Sequence, residues 1–252
     1  MIFNNYAKYY NLLYKDKDYI REVDYIASLI DKYSTIKGKS LLDIGCGTGT
    51  HAYNLSQKGY DVTGIDSSEE MIGIAKNKIN KSCKFQTADS TNFKLDKKFS
   101  IITSLFHVMS YQTTNYALEK TFTNVASHLE NDGIFIFDFW YGPAVLHNMP
   151  EVRIKRLEDD ELKIYRLAEP VISINDNIVE VNYELIIEEK KIKSVEAIKE
   201  KHLMRYFFKP EIEFFLAKSG LRAIKFEEWL TGNGIDEKTW GVSCIAKKVD
   251  EK

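Results

Sequence analysis

The stretch "LLDIGCGTGTH", residues 41–51, constrains the fold more than any other part of the chain. An aliphatic run ends in Asp43, and Gly45, Gly47 and Gly49 follow at alternate positions. A strand that ends in so bare a turn and opens a helix presents backbone N–H groups and lets a ligand approach the main chain closely. No Gly-Lys-Ser/Thr follows, which excludes a P-loop, and Thr50 stands where a GxGxxG dinucleotide fingerprint needs its last glycine. A carboxylate at the strand end would repel a pyrophosphate and suits a cationic or amine-bearing ligand.

From residue 40 to about 140 short aliphatic runs alternate with helical stretches, the rhythm of βαβ units and a parallel sheet. Strands are expected at "SLLDI", "DVTGI", "CKFQT", "FSIITSL" and "GIFIFDF", with a helix over about Asn115 to Leu129. Ser67 with Glu70 three residues on reads as a capping box opening the helix "MIGIAKNKI". Residues 1 to about 35 look helical, with Tyr6, Tyr10 and Tyr14 on one face. After Gly142-Pro143 the pattern becomes alternating and charge-rich: "VRIKRL", "ELKIYRL", "VISIN", "IVEVNYELIIEE" and "KEKHLMRYFF" read as an antiparallel meander. Pro210 then opens a helix that Gly220 closes, and "LRAIKFEEWL" and "WGVSCIAKK" supply two last strands.

Two further carboxylates follow strand ends. Asp66 lies some twenty residues beyond Asp43, where a carboxylate takes both hydroxyls of a ribose. Asp89 in "FQTADS" can accept from an exocyclic amine. Amine, ribose and adenine each have a partner, a combination that describes S-adenosylmethionine. On "DIGCGTG", "GIDSSEEMIGIAK" and "ADSTNF", in this order and spacing, the chain resembles the class I S-adenosylmethionine-dependent methyltransferases over about residues 38–140. The resemblance implies a Rossmann-like α/β fold with a seven-stranded, mostly parallel sheet. It implies one domain over 1–252: an N-terminal helical lid (1–35), a cofactor core (36–142), an antiparallel insertion over the acceptor site (143–206) and the last helix and strands (207–252). It places Gly45, Cys46, Gly47 and Gly49 at the methionine end, Asp66 on the ribose, Met71 near the adenine, and Asp89 with Ser90 at its edge. Asp43, Thr48, Ser67, Leu105 and Phe106 complete the expected cofactor set.

Methyl transfer is an in-line displacement, so the protein chiefly holds the acceptor, excludes water and, for weakly acidic acceptors, removes a proton. "FHVMSY" follows the fourth strand at the sheet's carboxyl edge, which makes His107 and Tyr111 the acid/base and orienting candidates. "YAKYYNLLYKDKDY" is similar to the aromatic N-terminal segment that covers the cofactor in enzymes N-methylating nucleotide-linked amino sugars. That similarity carries Tyr6, Tyr10 and Tyr19 to the sulfonium, with Tyr10 also a catalytic candidate. "FWYGPAVL" and "HLMRYFF" resemble the same branch. Trp140 and Tyr141 are expected to wall the acceptor pocket, and Arg153 (with Arg156), His202 and Arg205 to meet a phosphate. The expected reaction is methylation of the amine of a phosphorylated or nucleotide-linked amino sugar or amino alcohol. A hydroxyl acceptor and a non-catalytic cofactor-binding protein are the alternatives.

Composition narrows the partners. Lys and Arg number 35 against 37 Asp and Glu, without a basic stripe, which disfavours nucleic acid. No apolar run reaches a membrane span and no signal peptide is evident, so a cytoplasmic monomer or homodimer is expected. Cys46, Cys83 and Cys244 are far apart, and no compact carboxylate set remains, so neither a disulfide nor a metal is expected.

Overall fold

The computed structural model describes residues 7–78 and 83–249. Its first half runs α1 (Ala7–Leu13), α2 (Tyr19–Tyr33), β1 (Ser40–Ile44), α3 (Thr50–Gln57), β2 (Asp61–Asp66), α4 (Glu69–Lys78), β3 (Cys83–Thr87), β4 (Phe99–Ser104), α5 (Asn115–His128) and β5 (Leu129–Tyr141). There follow α6 (Gly142–His147), β6 (Arg153–Glu158), β7 (Leu162–Ser173), β8 (Ile178–Glu189), β9 (Ser194–Phe207), α7 (Lys209–Lys218), β10 (Leu221–Glu228) and β11 (Gly241–Lys248). Strands β3-β2-β1-β4-β5 are parallel neighbours; β11 adds antiparallel to β5, and β10 pairs antiparallel with β11. Together these seven strands make the mostly parallel sheet that the resemblance implied.

The central strands β1 and β4 and the second half of β5 are buried on both faces because helices cover both. Successive residues of β5 divide between two cores: Phe135, Phe137 and Phe139 join Phe122 of α5 and Leu216 of α7, while Ile134 and Ile136 join Ile26 of α2 and Leu55 of α3. Loop ligands are thereby confined to the sheet's carboxyl edge, where β1, β2, β4 and β5 end.

Strands β6 to β9 form the antiparallel meander, and Tyr206 and Phe207 at the end of β9 pair in parallel with Trp140 and Tyr141. The sequence suggested two strands where β7 is one. Pro170 is tolerated because β6 pairs only as far as Ala168, leaving β7 an open edge beyond it. The N-terminal helix is also interrupted: Asp18 accepts from Arg21 N (2.9 Å) and starts α2 afresh, so Tyr14 lies in the break and not on a continuous stripe. Tyr6 lies outside the described residues. Helix α1 rests on the meander, burying Tyr9 and Leu13 against Leu157, Ile164, Leu185, Ile187 and Ile198.

One cap differs from expectation. Asp66 Oδ1 accepts from Ser68 N (2.9 Å), which delays α4 by a residue, and Ser68 Oγ, not Ser67, accepts from Met71 N (3.2 Å).

Candidate active site

A cavity of about 790 Å³ lies between the carboxyl ends of the core strands, the break after α1 and one face of the meander. Its size is in the range of sites for small molecules and cofactors. The glycine loop forms its floor. Gly45 N and Cys46 N both donate to Ile65 O (2.8 and 3.0 Å), which ties the loop to β2. Gly45 has φ +71°, and a Cβ there would sit 2.5 Å from a methyl of Val108, so only glycine closes this turn. Gly47 N donates to Asp66 Oδ2 (2.9 Å). Asp66 thus links the loop to the start of α4 while its carboxylate lines the cavity. Burial pushes its pKa up, against the opposing pull of the Ser68 and Gly47 N–H groups.

Ser67, Met71, Asp89 and Ser90 continue the lining beyond Asp66. Asp89 Oδ1 is fixed by Thr91 N and Oγ1 (2.7 and 2.6 Å). Met71, Leu105 and Ala88 give the apolar walls that a purine requires between such polar edges. Bare backbone, a carboxylate at the end of the neighbouring strand and an apolar slot fit S-adenosylmethionine. Cys46 also lines the cavity, but burial drives its thiol well above the ordinary value, so it is a filler and not a thiolate.

Asp43 is a departure. It is buried beneath the loop, accepts from Thr103 Oγ1 (2.9 Å) and does not line the cavity. Burial raises its pKa to about 6, His51 and the Thr103 bond notwithstanding. The folded state therefore holds a proton here that the unfolded chain, with an ordinary value of 3.8, releases first. Relative to Asp43→Asn, the wild-type protein should lose stability as pH rises from about 4 to about 6, and the gap should stay constant above that. Thermal melts of both proteins across this range check the sign; parallel curves would contradict it.

The opposite half of the cavity is built on strain. Phe106 and His107 at the end of β4 have φ +66° and +62°, a left-handed pair of non-glycine residues. Asp138 of β5, 1% exposed, holds them: its carboxylate accepts from His107 N (3.0 and 3.2 Å) and lies 2.7 Å from His107 Nδ1. Phe106, His107 and Tyr111 are turned into the cavity with Trp140, and Tyr14 meets Phe106 edge-on at 5.1 Å. The meander contributes Arg153, Arg166 and Tyr183; Arg166 Nη1 donates to Tyr14 OH (3.4 Å) and its guanidinium lies over the Tyr183 ring at 5.4 Å.

Several expected residues stand outside the lining. Tyr19 is turned toward His51 (5.0 Å between rings) and bonds Tyr10, which does line the cavity. Thr48 and Gly49 lie on the far side of the loop, and Tyr141 packs into the core, since its neighbour Trp140 takes the cavity face. Arg156 also misses the cavity, three residues along β6 from Arg153. Arg205 is a correction: it is buried, ion-paired with Glu211 and bonded to Asn115 Oδ1 (2.6 Å), on the face of β9 away from the cavity. His202 is a second, since it sits behind Tyr111 and not on the cavity wall. The sequence reading missed Asp138, Arg166, Tyr183 and a buried cluster that reaches the cavity at His51. In that cluster Glu22 accepts from Lys17 Nζ (2.5 Å) and lies 2.6 Å from Nε2 of His51, itself a lining residue. Among the described residues no group of three His, Cys, Asp or Glu is placed to hold a metal, and no helix is long and apolar enough to cross a membrane.

Residues 41–133 match the methyltransferase domain family. The dTDP-3-amino-3,4,6-trideoxy-alpha-D-glucopyranose N,N-dimethyltransferase of Streptomyces venezuelae is 28% identical over 233 residues, covering 92% of this chain and 96% of that protein. The dTDP-3-amino-3,6-dideoxy-alpha-D-glucopyranose N,N-dimethyltransferase of Streptomyces fradiae is 32% identical over 139 residues, 54% of each chain. The crystal structure of Streptomyces venezuelae DesVI superposes with a TM-score of 0.80 at 25% identity, over 95% of this chain and 97% of that one.

Proposed function

We propose that the chain, whose residues 41–133 match the methyltransferase domain family, acts as an S-adenosylmethionine-dependent methyltransferase on the amine of a nucleotide-linked amino sugar. The observation that carries this reading is the pair Arg153 and Arg166 in the acceptor half of the same cavity whose other half fits the cofactor. Guanidinium groups in a partly enclosed site suit a phosphate or diphosphate, and the relatives named above act on dTDP-linked amino sugars. The cofactor supplies a methyl carbon bound to a cationic sulfur. Asp66, Asp89 and the loop backbone would hold and orient it, Tyr10, Tyr14 and Phe106 would enclose the reacting end, and Trp140, Met204 and Trp240, which line the same cavity, would exclude water from the acceptor side. Chelators are expected to leave activity intact, which an assay with and without chelator checks.

The first test is calorimetric titration with S-adenosylhomocysteine, followed by a mass-shift assay on dTDP-3-amino-3,6-dideoxy-α-D-glucopyranose and its hydroxyl counterpart. A gain of methyl mass on the amine alone supports the proposal; a gain on neither, with homocysteine-form binding intact, removes the acceptor assignment.

Asp138 beside His107 Nδ1 also has the form of a base with its orienting carboxylate, which favours a hydroxyl acceptor as the second reading. His107→Asn separates the two, because Asn tolerates the left-handed backbone and takes up no proton. A loss of only a few fold in turnover is expected for nitrogen. A loss of about 100-fold or more, the usual worth of a general base, would point to oxygen.

A further inference from the structure

Behind the cavity wall, Tyr111 OH lies 2.8 Å from His202 Nδ1, and His202 Nε2 lies 3.1 Å from Glu200 Oε2. His202 is 2% exposed, whereas the Glu200 side chain keeps 11% of its surface in solvent. One proton arrangement satisfies both contacts in a neutral ring: Tyr111 donates to Nδ1, and Nε2–H donates to the Glu200 carboxylate. Position in the pleat makes this a line and not a chance cluster. Glu200 and His202 point to the same face of β9 as Met204, which lines the cavity, and Tyr111 comes down from the turn after β4 to meet them.

We infer that Tyr111, His202 and Glu200 form a relay that carries a proton from the acceptor nitrogen in the cavity to solvent. The inference rests on the amine reading above. A protonated amine has no lone pair to attack with, and an amine with a pKa of about 8 is mostly protonated at pH 7. In the step, the acceptor ammonium gives a proton to Tyr111 Oη while the Tyr111 hydroxyl proton passes to Nδ1. The Nε2 proton passes in turn to Glu200, which releases it to water. The freed lone pair then forms the N–C bond as the C–S bond breaks, its electron pair remaining on sulfur. The step leaves the His202 proton on Nδ1, and the relay is restored by proton exchange with water after product leaves; the product nitrogen carries a proton again, so a second methylation asks the same of the restored relay. Tyr111 is the member that faces the acceptor; His202 and Glu200 act through it as positioning and transfer groups.

Among the described residues, the titratable groups seen to face His202 are Tyr111 from the turn, Tyr183 from β8, whose ring meets the imidazole edge-on at 4.9 Å, and Glu200 from its own strand. Burial pushes Tyr183 up to about 12, so it stays neutral, and Arg166 lies over its ring from β7. Lys199 and Lys201 belong to the other face of β9, where they pair with Glu184 and Glu180 (3.5 and 2.9 Å).

The test is single-turnover methyl transfer to dTDP-3-amino-3,6-dideoxy-α-D-glucopyranose by wild type, His202→Gln and Tyr111→Phe at pH 7 and pH 9.5. Glutamine can hydrogen-bond Tyr111 but does not shuttle a proton. Both variants are expected to be about tenfold slow at pH 7 and within about twofold of wild type at pH 9.5, where the amine arrives neutral. A deficit of equal size at both pH values would mean a structural role and overturn the relay. Should His202→Gln fail to fold, Glu200→Gln at the partly exposed end is expected to show the same pH-dependent deficit. Wild type that binds S-adenosylhomocysteine yet methylates the sugar's hydroxyl counterpart and not the amine overturns the acceptor assignment, and the relay with it. Wild type that methylates the amine while all variants match it at pH 7 overturns the relay alone.

Discussion

Asp66→Ala is expected to weaken S-adenosylhomocysteine binding by about 100-fold, measured by calorimetric titration. Two losses combine. The carboxylate lines the cavity where the ribose hydroxyls are expected, and hydrogen bonds to a charged group are worth about 1.5 to 3 kcal/mol each. Two at the lower value correspond to about 100-fold in affinity. The same carboxylate also anchors Gly47 N and Ser68 N, so its removal loosens both the loop and the start of α4. Asp66→Asn separates these roles, because an amide oxygen can hold one of the two N–H groups. It should recover part of the thermal stability and little of the affinity. An Asp66→Ala protein that binds within a few fold of wild type would remove Asp66 from the cofactor site.

The second large effect is expected at Asp138. Two consecutive non-glycine residues in the left-handed region are strained by about 1 to 3 kcal/mol each, and they persist only where their surroundings fix them. Asp138 does so through His107 N, from a position sealed off from water. Asp138→Ala leaves that N–H without its acceptor and the strained pair without its anchor, at a cost of about 3 kcal/mol. For a chain of this length that is a drop of roughly 6 to 12 °C in Tm. The turn should then relax, carrying Phe106 and His107 out of the cavity, and kcat/KM should fall by more than the melt alone explains. A melt within about 2 °C of wild type would show that the turn does not depend on Asp138.

The loop, the parallel core and the strand-end carboxylates were legible because their signals are local: an aliphatic run, alternating glycines and an acid at a fixed distance. What escaped was whatever depends on side-chain direction or on distant pairing. Trp140 and Tyr141 cannot both face one cavity from one strand, nor can His202 and Arg205, three residues apart on β9. Applying the two-residue period along β9 would have separated the last pair. Asp138 was hidden in "FIFDFW", where a lone acid among aromatics has no motif, although an unpaired charge in a buried strand always demands a partner. Arg166 was one basic residue among many in alternating strands, and only the pairing of β7 with β8 brings it beside Tyr183 and Tyr14. The Lys17, Glu22 and His51 cluster joins the start of α2 to α3, two segments that sequence spacing does not connect.

Helix α1 has its hydrophobic partners on the meander, and polar straps reinforce the seat: Lys155 Nζ donates to Leu13 O (2.9 Å) and Lys15 Nζ to Glu158 O (3.0 Å). The segment that brings Tyr10 and Tyr14 to the cavity is thus shaped by the strands that bring Arg153 and Arg166 to it. Exchanging those strands between relatives to alter sugar preference would leave Tyr9 and Leu13 on a foreign surface, so such chimaeras need residues 7–14 from the same donor. The two walls of the cavity are in this respect a single heritable cassette.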